Sequence, residues 1–247
     1  MEASTLAIEA EIEESHWWFA GRRRLFSREL IFSGLTSQSM VLDVGTGTGA
    51  NLRMLHDVGV QRVTALDCDE VSIRFCRSKA FENVQLGDIC AMPFADGRFD
   101  FVIATDVIEH VDDDLAALRE VARVLNDKGK ALIAVPAFSS LWGLQDVVAH
   151  HKRRYRLRPL LRKMREAGLD PVRSYYFNYL LFVPIWLARR LISLFGISRN
   201  SENEFNSPLL NQMFSVIFAI DTRTARVLRP PFGVSILAIA QKRRSHV

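Results

Sequence analysis

The chain has 247 residues, of which 49% are hydrophobic and 24% charged, with 32 Lys plus Arg against 28 Asp plus Glu. Those proportions are near a globular average and exclude a disordered, collagen-like or polytopic membrane chain. The net charge of +4 hides an asymmetry: Lys152 to Arg199 holds 12 basic residues and two acids, Glu166 and Asp170, so this stretch is strongly positive and the rest is negative.

Up to about residue 137 the pattern alternates short apolar runs with helical spacing. Met40–Val44 reads as a buried strand, Asn51–Val58 as a helix, Val63–Leu66 as a strand and Val71–Lys79 as a helix. Val84–Leu86 is a weak third strand, Phe99–Ala104 a strong fourth and Ala131–Val135 a fifth. A helix over Leu115–Leu125 precedes that fifth strand and is ended by Asp127-Lys-Gly129. Alternation at this pitch predicts an α/β fold, a doubly wound parallel sheet with helices on both faces. Further on, Leu157–Ala167 is an amphipathic helix stopped by Gly168, and Pro171–Phe177 a strand. Tyr175–Phe195 is aromatic and aliphatic, Ser198–Ser207 a polar loop, Leu209–Val227 a helix and Val234–Ala240 a last strand. The uncharged run Tyr175–Ala188 is too short to span a bilayer, which takes about 20 apolar residues.

Cys68, Cys76 and Cys90 fit neither a zinc spacing nor a disulfide framework, which points to a reducing, cytoplasmic setting. Met1–Glu14 carries five Glu and no basic residue, so it does not read as a signal peptide.

The sharpest motif is Val41-Leu-Asp-Val-Gly-Thr-Gly-Thr-Gly-Ala50: a buried strand, three alternating glycines, then a helix. Such a loop lets backbone N–H groups approach a ligand at a helix start. Asp43 sits at the mouth of the loop, where a carboxylate suits a cationic group better than a pyrophosphate. Asp67 ends the next strand, placed for ribose hydroxyls, and Asp88 follows the third strand, placed for an adenine amino group. Together they describe a site for an adenosine bearing a charged amino-acid tail.

These segments resemble the class I S-adenosylmethionine-dependent methyltransferases. The glycine loop resembles that family's first motif and Leu66-Asp-Cys-Asp69 its second-strand acid motif. Gly87-Asp-Ile89 with Met92-Pro-Phe94 resembles its adenine loop. Phe99–Val111 resembles the fourth-strand motif of the small-molecule branch. The resemblance implies a Rossmann-like sheet of seven strands, the last antiparallel, and S-adenosylmethionine as cofactor. It implies that Asp43, Gly45, Thr46, Gly47 and Gly49 line the methionine moiety. Asp67 with Cys68 would meet the ribose, Asp88 with Ile89 the adenine, and Thr105 would lie beside the cofactor. The whole chain is then one domain: an N-terminal cap (1–37), a cofactor-binding core (38–137), an acceptor-side region (138–232) and the last strand with its tail (233–247).

Methyl transfer to a hydroxyl needs a proton acceptor, and His110 in Ile108-Glu-His110 is the best candidate, on the cofactor edge after the fourth strand. Asp106, Glu109 and His110 resemble a metal set of some quinone-pathway relatives; nothing else in the sequence supports an ion, so no metal is expected. In His16-Trp-Trp-Phe-Ala-Gly-Arg-Arg-Arg24, one Trp is expected on the core and Trp18 over the pocket, with Arg22 on the cofactor carboxylate. This run resembles the start of a methyltransferase group linked with cell-surface polysaccharide and lipid biosynthesis. His150, His151, Arg153, Arg154 and Tyr155 follow the fifth strand and are expected to hold an anionic acceptor. The acceptor is expected to be a small or lipid-linked molecule that is methylated on oxygen, with a quinone-pathway acceptor as the alternative. Nucleic acid is disfavoured, because no known binding module accompanies the basic residues. Tyr175–Phe195 reads either as a lid or as an interfacial helix at the inner face of a membrane. Two other classes share the sheet: a nicotinamide-dependent oxidoreductase and a non-catalytic partner subunit.

Overall fold

The computed structural model describes residues 3–195 and 207–244. All but the last residue of the expected loop Ser198–Ser207 lie outside them. The elements run α1 (Ala3–Ser15), α2 (Trp17–Phe32), β1 (Met40–Val44), α3 (Ala50–Asp57), β2 (Arg62–Asp67), α4 (Glu70–Ser78), β3 (Val84–Leu86) and β4 (Phe99–Thr105). They continue with α5 (Asp114–Val124), β5 (Leu125–Pro136), α6 (Leu144–Val148), α7 (Leu157–Glu166), β6 (Leu169–Phe177), α8 (Phe182–Phe195), α9 (Pro208–Leu228) and β7 (Ser235–Lys242).

The seven strands form one sheet in the order β3-β2-β1-β4-β5-β7-β6. Strands β1 to β5 pair in parallel, and β7 runs antiparallel to both β5 and β6. This is the seven-stranded α/β architecture that the motifs imply. Alternate side chains of each strand feed opposite layers. Leu42, Val44, Val102, Ala104, Ile133 and Val135 pack under α5 and α7. Val41, Phe101, Ile103, Leu132 and Ala134 pack under α2, α3 and α9.

Local chemistry sets the helix starts. Asp69 accepts the N–H of Val71 at 2.9 Å, and Asp113 those of Leu115 and Ala116 at 3.1 and 2.9 Å. Gly21, inside α2, faces Phe218 of α9: a Cβ there would lie 2.2 Å from the Phe218 ring. The glycine therefore lets the two helices touch.

Three features depart from the sequence pattern. Helix α1 carries no clear apolar stripe, yet it packs on α2 and α4. β5 starts at Leu125, six residues early, because Leu125 already pairs with Phe99 and an irregular stretch follows before Lys130 pairs with Phe101. β6 likewise starts at Leu169, opposite Lys242.

Candidate functional site

The residues expected to form the site lie at the carboxyl ends of the parallel strands, where sheets of this type bind ligands. Asp43 is fully buried. Its Oδ1 accepts from Asn51 Nδ2 at 2.9 Å, while Oδ2 is buried with no hydrogen-bond partner. Burial pushes this carboxyl up to about 7, against the pull of Asn51 and Thr46. An orphaned buried carboxylate oxygen fits a ligand that brings a cation or a donor, as the amino-acid tail of S-adenosylmethionine does. Asn51 also donates to Thr105 Oγ1 at 3.1 Å, tying the first turn of α3 to the end of β4. The sequence reading missed Asn51; its signal was an amide one residue into the helix after the third glycine.

Gly45 has φ +70, and a Cβ on it would lie 2.4 Å from Val107 Cγ2, so the loop after β4 closes on bare backbone. Gly47 donates its N–H to Asp67 Oδ2 at 2.8 Å, and Asp69 donates its own to Oδ1 at 2.9 Å. Asp67 thus bolts the glycine loop to β2 while each oxygen keeps a lone pair for a hydroxyl. Cys68 is exposed beside it. Asp88 is exposed and holds its turn by accepting from Cys90 N at 2.8 Å; Ile89 is buried. Among the described residues, no basic side chain pairs with Asp43, Asp67 or Asp88. Over the loop lies α1, whose Glu13 accepts from Thr48 Oγ1 and whose Glu14 pairs with Arg53 at 2.6 Å.

Beyond β4 the chain turns through Asp106, at φ +55. Arg22 pairs with Asp106 and lies 5.2 Å from the ring centres of both Trp18 and Phe26. The arginine expected on the cofactor carboxylate therefore has a protein carboxylate as its partner. Trp17 and Trp18 do not divide between core and pocket. Both meet Phe218, at 5.5 and 5.2 Å, and Trp18 also stacks on Phe177. The half-buried Trp18 ring, expected over the pocket, joins this aromatic layer and lies against Arg22.

In the segment after β5, several of the side chains expected to hold an acceptor have partners within the protein. Arg154 makes a two-pronged pair with Asp146, at 2.7 and 2.9 Å, and donates to the carbonyl of Ala137. Tyr155 is buried and donates to Asp114 at 2.8 Å, and burial with that carboxylate pushes its phenol far up. Arg153 pairs with Asp114 at 3.2 Å and donates to the carbonyls of Val111 and Asp112. These three side chains are engaged inside the fold, and His150 is exposed. His151 is the one that turns inward. Its Nδ1 bonds Asp146 Oδ1 at 2.8 Å, and its ring lies edge-on to His110 with centroids 4.8 Å apart. Burial, then His151, hold the His110 imidazole below its ordinary range, against the opposing pull of the Asp106 charge and of hydrogen bonds to the backbone at Asp106 and Ala149. Glu109, beside it, is fully buried, and burial with Asp106 pushes its carboxyl well up. Both of its carboxylate oxygens are without partners.

A glycine loop opening a helix, acids near the ends of β1 and β2 and after β3, and an antiparallel seventh strand are the features that the resemblance to the class I S-adenosylmethionine-dependent methyltransferases implies. Comparison with known proteins agrees. Residues 42–133 match the family described as a methyltransferase domain. The tRNA (carboxymethyluridine(34)-5-O)-methyltransferase of Xenopus tropicalis is 33% identical over 128 residues, 50% of this chain and 18% of that one. An uncharacterized protein of Methanocaldococcus jannaschii is 29% identical over 172 residues, 64% of this chain and 70% of that one. A Haloferax volcanii chain solved in complex with the Trm112 methyltransferase activator shares the fold, with a TM-score of 0.66 at 22% identity over 99% of this chain and 96% of that one. The chain spans about half the length of most curated relatives it matches. Residues 42–133 thus match a methyltransferase domain, and a relative from Mycolicibacterium smegmatis that is 30% identical over 129 residues is described as a probable S-adenosylmethionine-dependent methyltransferase. The subgroup suggested by the His16–Arg24 run is not distinguished by these matches.

Proposed function

We propose that this protein transfers the methyl group of S-adenosylmethionine to an oxygen of a small or lipid-linked anionic acceptor. One observation carries the cofactor side of this reading: three carboxylates at successive strand ends, one of them orphaned and buried, around a glycine loop. A nicotinamide cofactor, whose pyrophosphate is anionic, would meet Asp43 at the loop mouth as a repulsive charge. The bound cofactor would supply an activated methyl group on a sulfonium. Asp43 would hold the amino-acid tail, Asp67 the ribose hydroxyls, and Asp88 with Ile89 the adenine, leaving the protein to align the acceptor and exclude water. The lone pair of His110, on the adjoining strand end, would activate an acceptor hydroxyl.

The anionic character of the acceptor is supported by α7, which exposes Arg158, Arg162 and Arg165. No helix among the described residues is long and apolar enough to cross a membrane. Surface contact is favoured by α8, which exposes Val183, Leu187 and Leu191 at one-turn spacing and places Arg190 5.6 Å from the Trp186 ring. The deciding experiment is a calorimetric titration with S-adenosylhomocysteine, with NADH as control. Micromolar binding of the first alone is expected; binding of NADH instead would sink the reading. Binding of S-adenosylhomocysteine with no turnover on any phosphorylated or lipid-linked acceptor would favour a non-catalytic subunit.

A further inference from the structure

We infer that Glu109, His110 and His151 form a binding site for one divalent transition-metal cation of the zinc class. Each residue offers one ligand atom, and these atoms lie within 4.8 Å of one another. Ligand atoms around a tetrahedral ion with bonds of about 2.0–2.2 Å stand ~3.5 Å apart, a gap that side-chain rotation closes.

Three further observations converge on an ion. First, the Glu109 carboxylate is wholly buried, and neither oxygen has a partner. The arginines nearest to it in charge are already committed, Arg22 to Asp106 and Arg154 to Asp146. A carboxylate left in that state is costly unless something electropositive joins it. Second, His151 is oriented as metal-binding histidines are, with one ring nitrogen on a carboxylate, here Nδ1 on Asp146, so that Nε2 is the nitrogen left for a ligand bond. Third, the backbone brings the two sequence segments together. The N–H of Lys152 donates to the carbonyl of Glu109 at 2.9 Å, so His151 sits beside Glu109 and His110 independently of any side-chain rotamer.

Two imidazoles and one carboxylate are a donor set for zinc or a similar ion, and three protein ligands leave a position open for water or an oxygen ligand. The ion's effect on an acceptor rests on the methyl-transfer reading above, but the site itself does not. With His110 as a ligand, an acceptor hydroxyl bound at the open position would be acidified by the ion and would release its proton to solvent water in place of the imidazole.

The test uses tag-free protein stripped with a chelator and titrated with Zn²⁺ by calorimetry and with Co²⁺ by visible absorption. One ion per chain is expected, with visible cobalt bands showing imidazole and carboxylate ligation. His151→Ala and Glu109→Gln should each weaken binding by about 10-fold or more, while His150→Ala, on the exposed neighbour, leaves it unchanged. Absence of a stoichiometric ion, or equal affinity in His151→Ala and wild type, would overturn the site. Loss of binding in His150→Ala as much as in His151→Ala would overturn it as well, by pointing to surface histidines. S-adenosylhomocysteine binding, measured on every variant, reports folding and keeps the cofactor reading separate: that affinity stands or falls without the metal.

Discussion

The carboxyl edge of the sheet has two halves that treat their acids in opposite ways. Around β1, β2 and β3, Asp43, Asp67 and Asp88 have no basic partner among the described residues, and Asp43 keeps an orphaned oxygen. Beyond β4 and β5, Asp106 is paired with Arg22, Asp114 with Arg153 and Lys163, and Asp146 with Arg154. The first half leaves charge unanswered where the proposed cofactor would bind. The second half answers its charges internally and so fixes the chain after β5. Glu109 is the exception in that second half, and its orphaned oxygens mark it as belonging functionally with the first.

The sharpest way to break this contrast is to neutralise one acid on each side. Asp146→Ala should cost about 3–5 kcal/mol of stability, because a buried arginine loses its carboxylate; a loss under 1 kcal/mol in urea melts would show that the pair is not structural. Asp43→Asn should instead raise stability at pH 8 while weakening S-adenosylhomocysteine binding, and a destabilised Asn variant would contradict an unpaired charge. Next in size, His110→Ala should slow turnover about 10²-fold or more with cofactor affinity kept; full activity would remove His110 from the reaction. Asp67→Ala should weaken cofactor binding by roughly 1–3 kcal/mol, and unchanged affinity would end the ribose assignment.

The pH dependence sharpens the same comparison. The Asp43 carboxyl sits near 7 when folded, above its ordinary value, so wild-type stability contributed at this site falls as pH rises from about 4 to 7. The Asp146 carboxyl is held far below its ordinary range by His151 and Arg154, so its contribution is full above about pH 4 and lost as pH drops below that. Because the ligand's ammonium needs the ionised form of Asp43, S-adenosylhomocysteine affinity should decline below pH 7 in wild type and stay flat in Asp43→Asn. The smallest effect expected is at α8, where Leu187→Glu should reduce cosedimentation with anionic liposomes at low salt; no binding by wild type would leave α8 as a lid.

The sheet was legible because its signal is local. Four buried residues in Met40–Val44, followed by glycines and a helix, allow few alternatives. Asp43, Asp67 and Asp88 fall at or just past strand ends for the same reason, since the position of each is fixed by its own strand. The region after β5 was harder to read because its chemistry is settled by long-range pairing. The excess of positive charge from Lys152 onward looked like an anion site. In the fold Lys152 pairs with Asp112, Arg153 and Lys163 with Asp114, and Arg173 with Glu29, so acids far away in sequence absorb much of it. His151 and Glu109 are brought together by one backbone hydrogen bond across 43 residues, which no periodicity announces.

The contact between Gly21 and Phe218 also bears on how the chain is made. Helix α2 is seated on Phe177 and Phe218 through Trp17 and Trp18, and Trp17 N–H donates to Asn211 at 2.7 Å. On a ribosome, those partners emerge roughly 160 to 200 residues after α2 itself, whereas β1 to β4 can pair with one another much sooner. Helix α2 is thus made well before the partners it packs on, and the nascent chain carries its Trp pair uncovered by Phe177 and Phe218 until those residues emerge.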